Sequence, residues 1–189
     1  MMNSNAMYEI DKSVTLMVNG WSGHFSLVDI LGVWCANNLL FVMIALVALR
    51  WWTIGNYPSI RHAALVACLS FFGALAINML IGWFFHRIRP NEAGLTHALT
   101  TISPDWSFPS DHSATSMSIA AALWFQDHKK LAAGLLVAAL TLCVSRVFVG
   151  AHYVSDVIGG AVIGIFAAYI VSNSFGENNK LSRLLIRLF

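Results

Sequence analysis

The chain has 189 residues, of which 58% are hydrophobic and 11% charged, with a formal net charge of +2 and a mean hydropathy of +0.68. These values exclude an ordinary soluble globular domain. They leave room for one membrane-embedded domain over residues 1–189, built from about five or six spans of roughly 20 residues. A basic stripe interleaved with aromatic residues is absent, which argues against a nucleic-acid partner and leaves lipids as the expected ones. Cys35, Cys68 and Cys143 are odd in number and far apart, so they form neither a disulfide framework nor a metal-ligand cluster.

In chain order, residues 1–27 form an N-terminal tail in which Ile10, Val14, Met17 and Trp21 recur at helical spacing, with Glu9, Lys12 and Asn19 between them. This pattern predicts a helix lying in the membrane interface. Apolar runs follow at 28–49, 63–85, 113–125, 131–149 and 157–171. They predict a bundle of five transmembrane helices, an all-α integral membrane fold. The third run is short; a start at Pro109 lengthens it to about 17 residues and about 26 Å. Ser110 or Asp111 would then cap the exposed N–H groups of its first turn. Trp21, Trp51, Trp52, Trp83 and Trp124 stand near the proposed ends, where amphipathic rings prefer to sit. At 174–189, Leu181, Leu184, Leu185 and Leu188 alternate with Lys180, Arg183 and Arg187, an amphipathic tail suited to an anionic cytoplasmic leaflet.

Five alternating spans put the N-terminal tail, the long loop 86–112 and the turn after the fourth span on one face. The other face receives Arg50, Arg61, Lys129, Lys130, Lys180, Arg183 and Arg187, leaving Lys12, Arg87, Arg89 and Arg146 on the first. By the positive-inside rule the first face is expected to look away from the cytoplasm, toward the periplasm or cell exterior of a bacterial inner membrane.

Three clusters converge on that outward face: Arg89-Pro90, then Pro109-Ser110-Asp111-His112, then Ser145-Arg146 with His152 and Asp156. Arginines hold phosphate oxygens through charge-assisted, bidentate hydrogen bonds. On a helix His152 and Asp156, four apart, would share a face, so the carboxylate could accept one ring N–H and leave the other nitrogen free as a nucleophile. A purely structural His–Asp pair and a metal site are the competing readings. An ionisable pair at membrane depth favours function, and Arg146 upstream strengthens that reading. Glu92 and Asp105 are the nearby carboxylates outside the clusters, and their spacing matches no recognised metal-ligand pattern. His112 opens the third span beside backbone N–H groups that favour an anion, within reach of a leaving oxygen, against the plainer reading of an interfacial histidine in a capping turn. Arg89 alone could equally be a side chain snorkelling from the end of the second span.

Taken together these residues resemble the type 2 phosphatidic acid phosphatases, membrane relatives of the vanadium haloperoxidases. Ser145, Arg146, His152 and Asp156 match that family's third motif without a gap; Pro109, Ser110 and His112 match its second; Arg89 and Pro90 end its first. Two positions depart from the pattern. The lysine expected seven positions before Arg89 is Gly82, leaving Arg87 or His86 to supply a phosphate donor, and Asp111 replaces a glycine. Both departures, and the small size, are similar to the undecaprenyl pyrophosphate phosphatase branch of bacteria. The resemblance implies that His152, oriented by Asp156, attacks the terminal phosphorus, while Arg89, Arg146 and Ser110, flanked by Ser145, Asp111 and Arg87, hold the phosphate. It implies that His112 protonates the leaving lipid phosphate and later activates water, with no metal and no cofactor. The expected substrate is a polyprenyl pyrophosphate. The alternatives are phosphatidylglycerophosphate or diacylglycerol pyrophosphate, transfer of the phosphoryl group to a lipid acceptor, and a non-catalytic lipid-binding protein, against which the intact His112, His152 and Asp156 argue.

Overall fold

The computed structural model describes residues 4–53 and 58–176, which form six helices and, among the described residues, no strand. They are α1 (Ser4–Asn19), α2 (Ser26–Thr53), α3 (Pro58–Gly82), α4 (Asp111–Phe125), α5 (Lys129–Phe148) and α6 (Val154–Ser174). The amphipathic pattern running from Lys180 to Leu188 lies outside the described residues.

Four segments, Ser26–Trp51, Ser59–Gly82, Lys129–Phe148 and Val154–Ser174, are long and apolar enough to cross a membrane. The remaining expected span, the third in chain order, is α4, which has 15 residues, about 22 Å at 1.5 Å per residue. It starts at Asp111 and not at Pro109, because Ser110 keeps an extended conformation and donates its N–H to the Asp156 carbonyl (3.1 Å). Its side chain makes no capping bond, so the expected hydroxyl cap is not formed. The second span also moves. Pro58 opens α3 in the first-turn position, where a fixed φ and a missing N–H carry no penalty. The helix ends at Gly82, which leaves Trp83, Phe84 and Phe85 outside it and exposed.

α4 is the packed centre of the bundle, against α3, α5 and α6. Small residues make this possible: Ser113, Ala114, Thr115, Ser116, Ser118, Ala120 and Ala122 are all buried. Its hydroxyls are satisfied within the helix, Thr115 on the Asp111 carbonyl (2.7 Å) and Ser118 on the Thr115 carbonyl (2.8 Å). From α6, Gly160 and Gly164 press against the same helix, and a Cβ at either would lie 2.4 Å from the Ser110 carbonyl oxygen or 2.1 Å from that of Ala114. Such backbone contact is how helices associate where lipid removes the hydrophobic drive.

The end of α3, the start of α4, the end of α5 and the start of α6 meet at one end of the bundle. Gly150, with φ +80°, turns the chain from α5 toward α6, and a Cβ there would sit 2.6 Å from the His97 carbonyl oxygen. The loop after α3 therefore lies directly on that turn. α1 packs against this end through α5 and α6. Its expected apolar stripe, Ile10, Val14 and Met17, is exposed, while Thr15 and Asn19 are buried against the protein. Asn19 donates to the Phe148 carbonyl (2.8 Å) and the His97 carbonyl (2.9 Å) and accepts the His97 N–H (2.8 Å).

Gly164→Val forces α4 and α6 apart and should destabilise the bundle by about 1–3 kcal/mol, read as a lowered thermal midpoint in detergent. A substitution at Gly134, where nothing lies within 4 Å of an added Cβ, should leave the midpoint unchanged.

Candidate active site

The third cluster is built across the turn between α5 and α6. His152 lies ahead of α6, with Tyr153 at its N-cap and Asp156 in its first turn. The pair therefore does not share a helical face as the spacing predicts. His152 Nδ1 stands 2.8 Å from the Ser107 carbonyl oxygen and 3.8 Å from Asp156 Oδ2. The ring N–H goes to the backbone carbonyl, and Asp156 acts on the ring across a longer ionic distance. Donation to a carbonyl assigns the proton to Nδ1, leaving the lone pair on Nε2. Arg89 NH1 donates to that lone pair at 3.0 Å.

Asp156 is fully buried, and every donor it has is named by geometry. Oδ2 accepts the Ser107 hydroxyl (2.5 Å) and the Tyr153 N–H (2.9 Å), and Oδ1 accepts Arg87 NH1 (2.6 Å). Arg87 also donates to the Ser155 hydroxyl and to Asp11 Oδ2, both at 2.6 Å, and its guanidinium carbon lies 3.8 Å from the centre of the Tyr153 ring. Its donors are thus engaged behind the histidine, on Asp156 and Asp11, and not on a phosphate as the glycine at position 82 leads one to expect. Burial acts to lower the Arg87 pKa, but Asp156 and Asp11 outweigh it and hold the guanidinium above its ordinary value, firmly charged.

Arg89 is 4% exposed and fixed on three sides: Nε to the Asp105 carbonyl (3.0 Å), NH2 to the Asp105 carboxylate (2.7 Å), NH1 to the Ala151 carbonyl (2.8 Å). Arg146, in the last turn of α5, is 7% exposed and its Nε has no hydrogen-bond partner among the described residues. His112 interacts electrostatically with Arg146, His152, Arg89 and Asp105, so the second and third clusters and the first share one electrostatic site. Ser110 is buried beside them, its hydroxyl accepting from Ser113 (3.2 Å). Asp111 turns to α3, where Asn78 donates to it (2.5 Å) and to the Pro109 carbonyl (3.0 Å). The Ser145 hydroxyl turns back on its own helix, to the Leu142 carbonyl (2.7 Å). Gly82 faces open space.

A model of the PAP2 superfamily matches residues 63–180. The chain belongs to that superfamily. It is 34% identical to the undecaprenyl-diphosphatase BcrC of Bacillus subtilis, over 96% of this chain and 91% of that protein. It is 25% identical to the putative undecaprenyl-diphosphatase YbjG of Escherichia coli, over 78% and 75%. The PAP2 fold is shared with the crystal structures of Aquifex aeolicus LpxE (TM-score 0.68, 21% identity, 85% of this chain and 93% of that one) and of a PAP2-type phosphatidylglycerolphosphate phosphatase from Bacillus subtilis (TM-score 0.69, 20% identity, 95% and 90%).

Several residues that shape this PAP2 site escape a motif search: Asp11, Asn78, Asp105 and Ser107. Asn78, a lone amide within an apolar run, carries a readable signal, as does the spacing of Asp11, Thr15 and Asn19. Asp105 and Ser107 lie in a loop with no periodicity to mark them. Among the described residues no group of three or more His, Cys, Asp or Glu gathers where it could hold a metal ion. Two buried arginines, Arg89 and Arg146, and one further histidine, His112, gather around the Nε2 lone pair of His152, an arrangement suited to an anion.

Burial pushes the His152 pKa down to about 4; Asp156 acts against the shift, and Arg89 and Arg146 add to it. The free protein therefore keeps this ring mainly neutral from about one unit above that value upward, whereas an ordinary histidine is half protonated near pH 6.5. The acid limb of kcat/KM should fall with an apparent pKa near 4, leaving the nucleophile active at pH 5.5. A limb centred at about pH 6 or above, beyond what the ionisation of the phosphate substrate itself at about pH 6 produces, would overturn the neutral, buried His152.

Proposed function

We propose that this protein hydrolyses undecaprenyl pyrophosphate to undecaprenyl phosphate and inorganic phosphate through a phosphohistidine on His152, at the outward face of a bacterial cytoplasmic membrane. One observation carries the reading: His152 Nε2, free of a proton, lies 3.0 Å from an arginine whose cluster includes a second buried arginine with an unbonded Nε. An incoming phosphate satisfies both cations, and in taking the Arg89 N–H it uncovers the lone pair that attacks it. The polyprenyl substrate is supported by the similarity to a protein named undecaprenyl-diphosphatase along nearly the full length of both chains. The outward orientation is supported by the bias of Lys and Arg toward the opposite face.

In the first step Nε2 attacks the terminal phosphorus in line, a P–N bond forms, and the P–O bond to the lipid phosphate breaks. His112, which takes up a proton once the phosphate's negative charge lies beside it, gives that proton to the departing oxygen. Arg89 and Arg146 neutralise the equatorial oxygens, with Ser110 beside them, and the Ser107 carbonyl keeps the Nδ1 proton in place as charge develops on the ring. In the second step water attacks the phosphohistidine, His112 takes the water proton, the P–N bond breaks and inorganic phosphate leaves. Each oxygen and proton is accounted for by protein groups and water.

Purified in detergent with excess EDTA, the protein should release phosphate from undecaprenyl pyrophosphate, and His152→Ala should lower the rate about a thousandfold or more. A phosphate-labelled, acid-labile and base-stable protein adduct should appear in the parent and vanish in the variant. Release from phosphatidylglycerophosphate but not from the polyprenyl substrate would move the substrate. Transfer to a lipid with no free phosphate would replace hydrolysis by phosphotransfer.

A further inference from the structure

α1 precedes residues 63–180, so the family pattern assigns it nothing. It nonetheless reaches the site. Asp11 Oδ1 accepts the Ser155 N–H (2.9 Å), and Oδ2 accepts the Ser155 hydroxyl and Arg87 NH2, each at 2.6 Å. One turn on, the Thr15 hydroxyl accepts the Val154 N–H (3.1 Å). Both bonds satisfy orphan donors of the first turn of α6, but only the one from Asp11 continues toward the chemistry.

We propose that Asp11 is a positioning residue of the active site: acting through Arg87, it holds the Asp156 carboxylate, so that seating α1 completes the catalytic geometry. The inference rests on the hydrolytic reading above. Arg87 is shared between two carboxylates, one 11% and one 0% exposed. Without Asp11 the guanidinium has one anion left and collapses onto Asp156, drawing both oxygens to itself. Oδ2 is then pulled from the Ser107 hydroxyl and the Tyr153 N–H. Ser107 transmits the change, because the residue that donates its hydroxyl to Asp156 also accepts the Nδ1 proton of His152 through its carbonyl. The relay runs Asp11, Arg87, Asp156, Ser107, His152, and touches no substrate atom.

The test compares Asp11→Asn, Asp11→Glu and Thr15→Val in the full chain, measuring kcat, KM and thermal midpoint with undecaprenyl pyrophosphate. Asp11→Asn should lower kcat about 10- to 100-fold with KM within about twofold, as losses of supporting hydrogen bonds do. Asp11→Glu, which keeps the charge, should recover at least about threefold of that kcat. Thr15→Val loosens the same helix contact without the relay, and should lower the midpoint while keeping kcat within about twofold. Asp11→Asn with parent kcat, or Thr15→Val with an equal loss of kcat, overturns the relay while leaving the hydrolytic reading intact. A parent protein that hydrolyses a different lipid phosphate changes only the substrate, and the same comparison on that lipid decides Asp11. A parent protein silent on all of them overturns both.

Discussion

A carboxylate with no exposed surface sits where α6 begins, and the architecture at that end of the bundle is the means of keeping it charged. Removing an ion from water costs several kcal/mol even after relaxation, and Asp156 meets that cost with donors from separate parts of the chain. The helix start supplies the Tyr153 N–H, the loop after α3 supplies Arg87 and the Ser107 hydroxyl, and the Asp156 carbonyl in turn receives the Ser110 N–H that sets where α4 begins. The loop is pinned because its polar groups are the ones the carboxylate needs. A neutral residue at this position would remove the acceptor that Arg87 and the Ser107 hydroxyl share, and so loosen the loop, while the backbone bond that sets the start of α4 would remain.

Asp156 is held by Arg87 on the side away from the other two arginines, which among the described residues have no such buried ion pair between them. Arg89 leans on Asp105, whose side chain is 55% exposed, and Arg146 keeps an unbonded Nε. An ion pair with one exposed partner contributes little, on the order of 1 kcal/mol or less. A phosphate, carrying more charge and more acceptor oxygens than a carboxylate, can therefore displace Asp105 from Arg89 at small cost and engage Arg146 as well. The proposed phosphate site would thus rest on unequal satisfaction: the carboxylate behind the histidine has a donor on each oxygen, whereas Arg146 keeps an unbonded Nε and Arg89 an exposed anion.

Much of this is legible in the sequence, and the failures have physical causes. Apolar runs mark the helices because each must satisfy its backbone within itself in lipid, and the three clusters mark the site because charged groups at membrane depth require partners. Spacing alone puts His152 and Asp156 on one helical face, which is wrong here, since periodicity locates a helix but does not say that α6 starts after the histidine. A donor missing at Gly82 points Arg87 toward phosphate, whereas the guanidinium lies between Asp156 and Asp11, and Asp11 belongs to a helix whose apolar stripe is its visible signal. Ser107 is invisible to any pattern, because what it contributes to His152 is a backbone carbonyl that every residue possesses.

α1 shows how a helix can serve two solvents. Ile10, Val14 and Met17 turn outward, where lipid receives them, and Asp11, Thr15 and Asn19, spaced four apart, turn inward to bond the ends of α5 and α6. In a soluble protein those faces would be reversed. Here the inward face has polar work because two helix ends and a bent loop leave orphan N–H and C=O groups that lipid cannot satisfy. The same end carries Trp83, Phe84 and Trp106 on its exposed surface, the kind of ring that favours the boundary between headgroup and hydrocarbon. Under the proposed reading, a pyrophosphate joined to a long apolar chain would use that boundary, its tail in the bilayer and its phosphorus at the arginines. The membrane itself would then provide the apolar surface that a soluble phosphatase has to fold around such a tail.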